Sequence, residues 1–369
     1  MTDESPNTQC SNTLELVVLD GDGIGPEIAD ATTRVVDATL APAGIAPHFR
    51  RELIGFDALR ASGTTMPPEI VDISRAADGV ILGPVSHLDY PPSSEGGVNP
   101  SGILRRQLDL YANIRPARTV NALPNPLNRA FDLVIVRENT EGFYADRTMF
   151  AGGGEFMPTE DLALAIRKVT RAGSERIVRR AFELARTRRS KVTVVHKANV
   201  LRLSDGLFLE AARHVRAEFP DVAYEELLVD AVAALLIRSP EQFDVITTTN
   251  MFGDILSDEA TELSGSLGLA ASLNVGTGHA VAQAQHGSAP GIAGRGVANP
   301  ASLIGSAAML LSWIGEQRND ARLTDAGARI HGAIDLAVAS PDTRTKDLHG
   351  TADTEGFTKA VIGRLVAER

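Results

Sequence analysis

Short runs of apolar and β-branched residues alternate along this chain with longer stretches in which apolar residues recur every three or four positions. The short runs, each typical of a buried strand, occupy residues 14–19, 79–82, 133–136, 192–195 and 245–249. Helical spacing is clearest in residues 27–40, 162–185 and 205–218. This alternation predicts an α/β fold with mainly parallel strand pairing.

Segments rich in Gly, Pro and Ser break this pattern at residues 84–100, 151–158 and 276–300. Each is longer than a simple connection, and loops of such length are usually functional or disordered. A shorter glycine-rich turn, residues 21–25 (GDGIG), follows the first strand and opens the first helix. Its spacing differs from the G-x-G-x-x-G pattern of dinucleotide-binding folds, so we interpret it as a tight structural turn beside a site.

Composition limits the classes of protein to which the chain can belong. With 369 residues, 43% of them hydrophobic, two domains are expected. Residues 1–13 are mostly polar and predict a disordered tail, which holds the only cysteine, Cys10, so a reducing cytoplasm is the expected location. No apolar run approaches the ~20 residues that span a bilayer. The net charge of −11 argues against a nucleic-acid partner.

Two carboxylates four residues apart, Asp254 and Asp258, are a candidate metal site. If a helix begins at Gly253, both acids lie on one of its faces. Mg²⁺ and similar hard cations take oxygen ligands and are usually held by one or two carboxylates together with substrate oxygens. The alternative is a solvated helix face, or acids placed favourably at a helix N-terminus.

Three arginines stand at or near the ends of predicted elements. Asn99 and Pro100 resemble an N-cap and first residue of a helix that carries Arg105, while Arg115 and Arg137 adjoin apolar segments. A guanidinium group binds a carboxylate through two hydrogen bonds at once. Together with the acid pair, the three arginines indicate a site for a polycarboxylate, although each alone is more often a surface residue.

Other polar residues have both a chemical and a structural interpretation. Lys197 directly follows a predicted strand, where it is either a proton acceptor or a solvated lysine. Tyr144 is either a proton donor or a packed aromatic, and Asp230 is either a ligand or a helix cap. The glycine-rich segment that begins at His286 suits a nucleotide, but composition alone indicates this weakly.

The chain resembles the β-decarboxylating dehydrogenase family, which includes isocitrate, homoisocitrate, 3-isopropylmalate, tartrate and D-malate dehydrogenases. The likeness rests on, in chain order, GDGIGPE, LRRQLDLYANIRP, VRENTEGFY, HKAN, FGDILSDEA, HGSAPGIAG and VANP. It runs from about residue 14 to the C-terminus, and the ordered set is specific although no single motif is.

The resemblance implies two doubly wound α/β domains with a dimer clasp, which it places near residues 151–158. A large cofactor-binding domain would comprise residues 14–110 and 265–369, and a small dimerisation and substrate domain residues 111–264. Members are homodimers or larger, with active sites shared between subunits. The chemistry implied is oxidation at C2 of a 3-substituted (R)-malate by a nicotinamide cofactor, followed by loss of the C3 carboxylate as CO₂.

The resemblance also assigns roles to individual residues. The expected substrate-binding residues are Asn99, Ser101, Arg105, Arg115 and Arg137, and the expected catalytic residues are Tyr144 and the partner's Lys197. Mg²⁺ or Mn²⁺ would bind to Asp254, Asp258 and the partner's Asp230. The cofactor would lie against His286, Gly287, Ser288, Ala289, Gly291 and Asn299.

The chain departs from its relatives at the cofactor loop. Gly291 stands where NAD-using relatives carry an acid and NADP users a cation, and Gln283 stands where a glutamate is usual. We expect NAD, because neither residue 291 nor 292 is a lysine or tyrosine that could bind a 2′-phosphate. The nearby Arg295 leaves NADP open.

The substrate pocket differs as well. Its expected wall, at Val98, Asn99, Ser101 and Gly102, is small and polar where isopropylmalate enzymes place leucines. A polar substituent is therefore expected, as in isocitrate or homoisocitrate, with 3-isopropylmalate, tartrate or D-malate as alternatives. A hypothesis of another class is a non-catalytic regulatory subunit of a hetero-oligomeric dehydrogenase.

Overall fold

A computed structural model describes residues 12–120, 122–144, 149 and 153–367. The strands are β1 (Thr13–Leu19), β2 (Ala46–Glu52), β3 (Gly79–Leu82), β4 (Ala112–Arg118), β5 (Asp132–Glu138), β6 (Glu155–Thr159), β7 (Leu162–Ala165), β8 (Lys191–His196), β9 (Ala223–Leu228), β10 (Val245–Thr248), β11 (Leu273–Val275) and β12 (Ala280–Gln283). The helices are α1 (Gly25–Leu40), α2 (Gly55–Ser62), α3 (Glu69–Ala76), α4 (Pro100–Gln107), α5 (Arg171–Arg186), α6 (Ser204–Arg216), α7 (Val229–Arg238), α8 (Asn250–Ser264), α9 (Ala301–Arg318), α10 (Ala321–Ala339) and α11 (Thr354–Ala367).

Ten of the described strands form one sheet in the order β2-β1-β3-β12-β11-β4-β5-β10-β8-β9. The pairs at both ends of this order are parallel, whereas β12–β11, β11–β4 and β4–β5 in the middle are antiparallel. Strands β6 and β7 form a separate antiparallel hairpin. The predicted α/β class and its mainly parallel pairing are confirmed.

Several elements differ from the sequence prediction. Residues 162–185 are not one helix, because 162–165 form strand β7 with exposed side chains and the helix begins at Arg171. Thr170 explains that start, since its side chain accepts a hydrogen bond from the backbone N–H of Gly173. The segment 276–300 is not all loop, because it contains β12, which pairs with β3 and β11.

Two boundaries also shift. Helix α8 begins at Asn250 rather than Gly253. Thr13, placed in the predicted tail, is the first residue of β1, whereas residues 1–11 with Cys10 lie outside the described residues. Of the predicted clasp, residues 151 and 152 also lie outside them. The domain boundaries stay a prediction.

The core lies on both faces of the large sheet. On one face, α9 and α10 pack together over β12 and α1, and on the other Leu104 of α4 packs with Val17, Val80 and Val281. Helix α8 lies over β4 and β5, next to the antiparallel centre of the sheet. This packing brings α4, α8 and the end of β12 around one cleft. Among the described helices, none combines the length and apolar composition needed to cross a bilayer.

Candidate active site

The cleft is an open cavity of about 320 Å³. Its lining includes nine of the predicted site residues, namely Asn99, Ser101, Arg105, Arg115, Arg137, Tyr144, Asp254, His286 and Gly287. Gln283, Gln285 and His87 line it as well, and the sequence predicted no binding role for these three. Residues from the first, middle and last thirds of the chain therefore meet in one place.

The start of helix α4 forms one wall of the cleft. Asn99 is the N-cap, and its side-chain oxygen accepts a hydrogen bond of 3.2 Å from the backbone N–H of Gly102. Pro100 occupies the first helical position, as the sequence predicted. Ser101 and Arg105 are four residues apart on this helix, and both donate hydrogen bonds to the side-chain oxygen of Gln283.

Arg115 and Arg137 lie under helix α8 and are almost fully buried, with 7% and 2% exposure. Arg137 binds the side chains of Asp254 and Asn250, and Arg115 lies 3.2 Å from Asp254 and 3.1 Å from Asp258. Gly253 is needed for this approach, because a Cβ there would lie 2.7 Å from the Arg137 side chain. The two arginines and the two acids therefore form one charged cluster.

Burial and opposing charges compete in this cluster. Burial disfavours the charged form of Asp254, but the guanidinium groups of Arg137, Arg115 and Arg105 outweigh it and hold the pKa of that carboxyl below its usual range. Burial, with the neighbouring charge of Arg137, lowers the pKa of Arg115 to about 10. Both groups are consequently ionised near neutral pH.

Asp254 and Asp258 differ in exposure. The side chain of Asp258 is 59% exposed and that of Asp254 is 34% exposed. The Tyr144 hydroxyl donates a hydrogen bond of 3.3 Å to the second carboxylate oxygen of Asp254, which places this tyrosine inside the cleft. Both acids lie on helix α8, as predicted, but of the two only Asp254 is among the described residues that line the cleft.

The two acids supply part of the ligand set of a divalent-metal site. Their oxygens are ligands of the type that Mg²⁺ and Mn²⁺ prefer. Within the described part of the chain, however, no group of three or more His, Cys, Asp or Glu side chains is placed to hold a metal ion. A metal held by Asp254 and Asp258 therefore needs further ligands from substrate, water or a second subunit.

Lys197 and Asp230 form a separate pair. The ammonium group of Lys197 lies 2.5 Å from the Asp230 carboxylate, and this contact holds the pKa of Asp230 below its usual range. Lys197 follows β8, as predicted, and its backbone N–H donates to the buried Asp205. Among the described residues that line the cleft, neither Lys197 nor Asp230 is found.

The glycine-rich turn after β1 supports the cofactor loop. Gly23 has a φ of +60°, and a Cβ there would lie 2.0 Å from the carbonyl oxygen of Ser288. The backbone N–H of Ile24 donates to that same oxygen at 2.9 Å. Ser288 is buried, with its hydroxyl 2.7 Å from that of Ser86. The turn therefore has the structural role predicted for it, and Ser288 anchors the cofactor loop to this turn and to Ser86.

A second cavity, of about 430 Å³, adjoins the cleft and shares His286 and Gly287 with it. Its other lining residues include Ile24, Ala289, Ile292, Asn299 and Asp347. Burial lowers the pKa of His286, whose Nε2 atom is buried without a hydrogen-bond partner. An apolar cavity with such unmatched polar atoms fits an adenosine moiety. Gly291 is exposed outside the described lining of this cavity.

Sequence reasoning assigned no binding role to two glutamines at the end of β12. Gln283 contacts α4, as described above, and the side-chain N–H of Gln285 donates to Asp258 at 2.7 Å. Their alternation in AQAQH places both on one side of an extended segment, which could have identified them. Asp347, which accepts a hydrogen bond from Asn299, carries no such signal in the sequence.

Comparison with known proteins gives matches along nearly the whole chain. The sequence model described as isocitrate/isopropylmalate dehydrogenase matches residues 15–361. Isocitrate/homoisocitrate dehydrogenase of Thermus thermophilus is 42% identical over 353 residues, which are 95% of this chain and 98% of that protein. The 3-isopropylmalate dehydrogenase of Saccharolobus solfataricus is 39% identical, over 92% and 96% of the two chains. The crystal structure of isocitrate dehydrogenase from Methylococcus capsulatus superimposes with a TM-score of 0.84 at 39% identity, over 95% and 99%.

Proposed function

Because this chain belongs to the isocitrate/isopropylmalate dehydrogenase family and is an oxidatively decarboxylating hydroxy-acid dehydrogenase, we propose that its substrate is a malate with a polar substituent at C3. Isocitrate and homoisocitrate are the preferred candidates. The family uses NAD or NADP together with a divalent metal ion. The observation that carries the proposal is the cleft in which Arg105, Arg115 and Arg137 meet Asp254.

The arginines would bind the malate carboxylates. Arg115 and Arg137 are held by Asn113 and Asn250, so their guanidinium planes are oriented before a substrate arrives. Such preorganisation reduces the entropy lost on binding and orients C2 towards the cofactor. Arg105 would complete the set from the other wall of the cleft.

Asp254 and Asp258 would hold Mg²⁺ or Mn²⁺, and the second cavity would hold the adenosine end of the dinucleotide. When bound, the cation stabilises negative charge on the substrate oxygens and the nicotinamide accepts the hydride. We assign the third carboxylate to Asp230 of a second subunit, because within this chain Asp230 pairs with Lys197 and no third acid or other ligand among the described residues joins Asp254 and Asp258.

The protein's own side chains would move the protons. Lys197, also from the second subunit, would accept the proton of the C2 hydroxyl while C2 loses hydride. The resulting β-keto acid loses its C3 carboxylate as CO₂, and Tyr144 would donate a proton to C3. In support of this role, the Tyr144 hydroxyl lines the cleft and lies 3.3 Å from Asp254.

A polar substituent suits the wall that faces it. Asn99, Ser101 and Gln283 supply amide and hydroxyl groups there, and Gln283 adds no negative charge beside Arg105. A hydrophobic substituent would leave these polar groups without partners, which is costly in a desolvated site. A carboxylate on the substituent would find both hydrogen-bond donors and positive charge.

NAD is the proposed cofactor. A 2′-phosphate needs a cation beside the adenosine ribose, and the described lining of the second cavity supplies Asn299 and Asp347 but no lysine or arginine. Asp347 would repel a phosphate. NADP stays the alternative because Arg295 is exposed on the same loop.

A homodimer is proposed from large apolar side chains that are exposed on this chain. Leu203 is 90% exposed and Ile255 58% exposed, while Val200 and Ile237 are also exposed. The hairpin β6–β7 adds the exposed Phe156, Met157, Leu162 and Leu164. Four exposed apolar side chains on one short hairpin are typical of an interaction surface. The lone cysteine makes the cytoplasm the proposed location.

The test is a panel of substrates with Mg²⁺ or Mn²⁺, in which reduction of NAD and of NADP is followed by absorbance. Isocitrate, homoisocitrate, 3-isopropylmalate, tartrate and D-malate form the panel. Higher kcat/KM for isocitrate or homoisocitrate is expected, and a preference for 3-isopropylmalate would refute the polar substituent. A folded protein that is inactive with every substrate would favour the regulatory-subunit hypothesis.

A further inference from the structure

Asp258 is the less constrained of the two acids assigned to the metal. Asp254 is bound by Arg115, Arg137 and Tyr144, whereas the described contacts of Asp258 are with Arg115 at 3.1 Å and with Gln285 at 2.7 Å. The shorter of these two contacts comes from a neutral amide on the opposite wall. Neither of these contacts comes from helix α8 itself, so Asp258 is positioned by Arg115 of β4 and by Gln285.

The backbone just before Gln285 is held by hydrogen bonds at Gln283. The carbonyl oxygen of Gln283 accepts hydrogen bonds from the hydroxyls of Ser272 and Ser306, at 2.8 and 3.1 Å. Ala284 is buried between the two glutamines. Gln285 lies two residues beyond the end of β12, so its amide extends from a segment anchored by that strand, which is what a residue needs if it is to fix the position of another.

The side-chain oxygen of Gln285 indicates that a ligand binds beside it. This oxygen is buried and accepts no hydrogen bond, although the residue lines the cleft. A buried acceptor without a donor is unfavourable, so an amide with a purely structural role would be satisfied at both ends. A water or hydroxyl group brought by a bound metal and substrate would supply the missing donor.

We propose that Gln285 belongs to the divalent-metal site, where its N–H group positions Asp258 and its oxygen accepts a hydrogen bond from a water or hydroxyl of the loaded site. It is a positioning residue, and it acts on the metal through Asp258. This inference rests on the proposed function, because it takes Asp254 and Asp258 as metal ligands.

The test measures Mn²⁺ binding to the full-length protein by the electron paramagnetic resonance signal of free Mn²⁺. Substrate from the panel is present and dinucleotide is omitted, so no turnover occurs. Gln285→Met keeps the volume but removes both hydrogen-bonding atoms, and a loss of Mn²⁺ affinity of about tenfold is expected. In turnover assays the KM for Mn²⁺ should rise similarly, while kcat at saturating Mn²⁺ changes little.

Gln107→Met is the matched control, because Gln107 is an exposed glutamine on α4 outside the described lining of the cleft. Equal Mn²⁺ affinity in wild type and Gln285→Met would overturn the inference. Absence of Mn²⁺ binding by the wild type would instead refute the proposed metal site. If Gln285→Met fails to fold, Gln285→Asn, which keeps the amide but shortens its reach, gives the same comparison.

Discussion

At the scale of single residues, Asp254 is where the charges of the cleft converge. It accepts hydrogen bonds from Arg137 and Tyr144 and forms an ion pair with Arg115. Two of these partners are buried cations, so the carboxylate balances charge in the free protein as well as serving the proposed chemistry. Removal of its charge therefore affects both binding and the electrostatics of the arginines.

Asp254→Asn should lower turnover by more than about 100-fold, because the amide is a poor ligand for a hard cation and cannot balance the two arginines. The secondary structure should persist, since Asn has nearly the same shape. The measurement is kcat with the best substrate, together with circular dichroism. Asp325→Asn, an exposed acid on α10, is the control, and near-normal turnover in Asp254→Asn would refute the assignment.

Gln283→Glu tests whether the positive charge of Arg105 on α4 recognises a carboxylate of the substrate. The new carboxylate would lie near Arg105, which is now 3.4 Å from the neutral amide oxygen. An opposite charge at that distance is worth several kcal/mol even when screened, so kcat/KM for isocitrate should fall about tenfold or more relative to D-malate, which lacks the third carboxylate. An equal loss for both substrates, or a change confined to the KM of the dinucleotide, would contradict the prediction.

At the scale of elements, the start of helix α4 combines a local and a long-range feature. Asn99 and Pro100 define where the helix begins, and that signal is readable in the sequence. The orientation of its polar face, in contrast, depends on β12, which supplies the oxygen that Ser101 and Arg105 share.

Replacement of Ser101 and Gly102 by leucine should shift specificity towards 3-isopropylmalate. Two apolar side chains would replace the polar wall and remove the hydroxyl that contacts Gln283. A pocket wall whose polarity matches the substituent changes the ratio of kcat/KM for two substrates by roughly 10- to 200-fold. The measurement is therefore the ratio of kcat/KM for 3-isopropylmalate and isocitrate. An unchanged ratio in a variant with the wild-type melting temperature would place the specificity wall elsewhere.

His331 on helix α10 makes the free energy of unfolding depend on pH. Burial lowers the pKa of His331 to about 4, with Arg118 acting in the same direction and Asp335 opposing it. Arg118 of β4 and Asp335, one turn beyond His331 on α10, line a small cavity together with the histidine, and they bind each other. His331 is therefore neutral in the folded protein at neutral pH.

The sign of the pH effect follows from that lowered pKa. Between the unfolded value, about 6.5, and the folded value of about 4, the unfolded chain binds the proton first, so stability is lost as the pH falls through this window. The expected contribution is up to about 3 kcal/mol. Urea unfolding of wild type and His331→Gln at pH about 7 and about 5 measures it, and identical pH dependence in both would contradict the prediction.

At the scale of the whole molecule, one chain does not bring all of the predicted site residues together. Asp254 lies in the cleft, whereas Lys197 and Asp230 pair with each other outside its described lining. If a second subunit brings its own Lys197 to this cleft, each active site takes these two residues from different chains.

Subunit complementation tests that arrangement. Asp254→Asn and Lys197→Met should each be nearly inactive alone. Mixed after dissociation and reassociation, they should recover activity at about one quarter of all sites, because half of the dimers are mixed and one site in each is intact. If both residues served the same site from one chain, no activity would return. Homodimers of each variant, treated in the same way, are the controls.

How far the sequence predicts the structure depends on whether a signal is local. The caps at Asn99 and Thr170, the strands β3 and β8, and the acid pair on α8 all depend on residues close in sequence. The apolar spacing of residues 162–165 continues into α5 and predicts a helix, yet these residues pair with residues 155–159. Pairing with a neighbouring strand overrode a short periodic pattern.

The sequence by itself determined the family, the residue types of the site and several of the strands and helices, because ordered motifs and caps are written in short stretches of chain. Only the tertiary structure decided that Gln283 reaches Arg105, that Gln285 reaches Asp258, and that Lys197 lies apart from Asp254. Those contacts join residues that are distant in sequence, and their distances follow from how the strands and helices pack. Periodicity indicates which face of an element is buried, but it does not encode which side chain lies opposite.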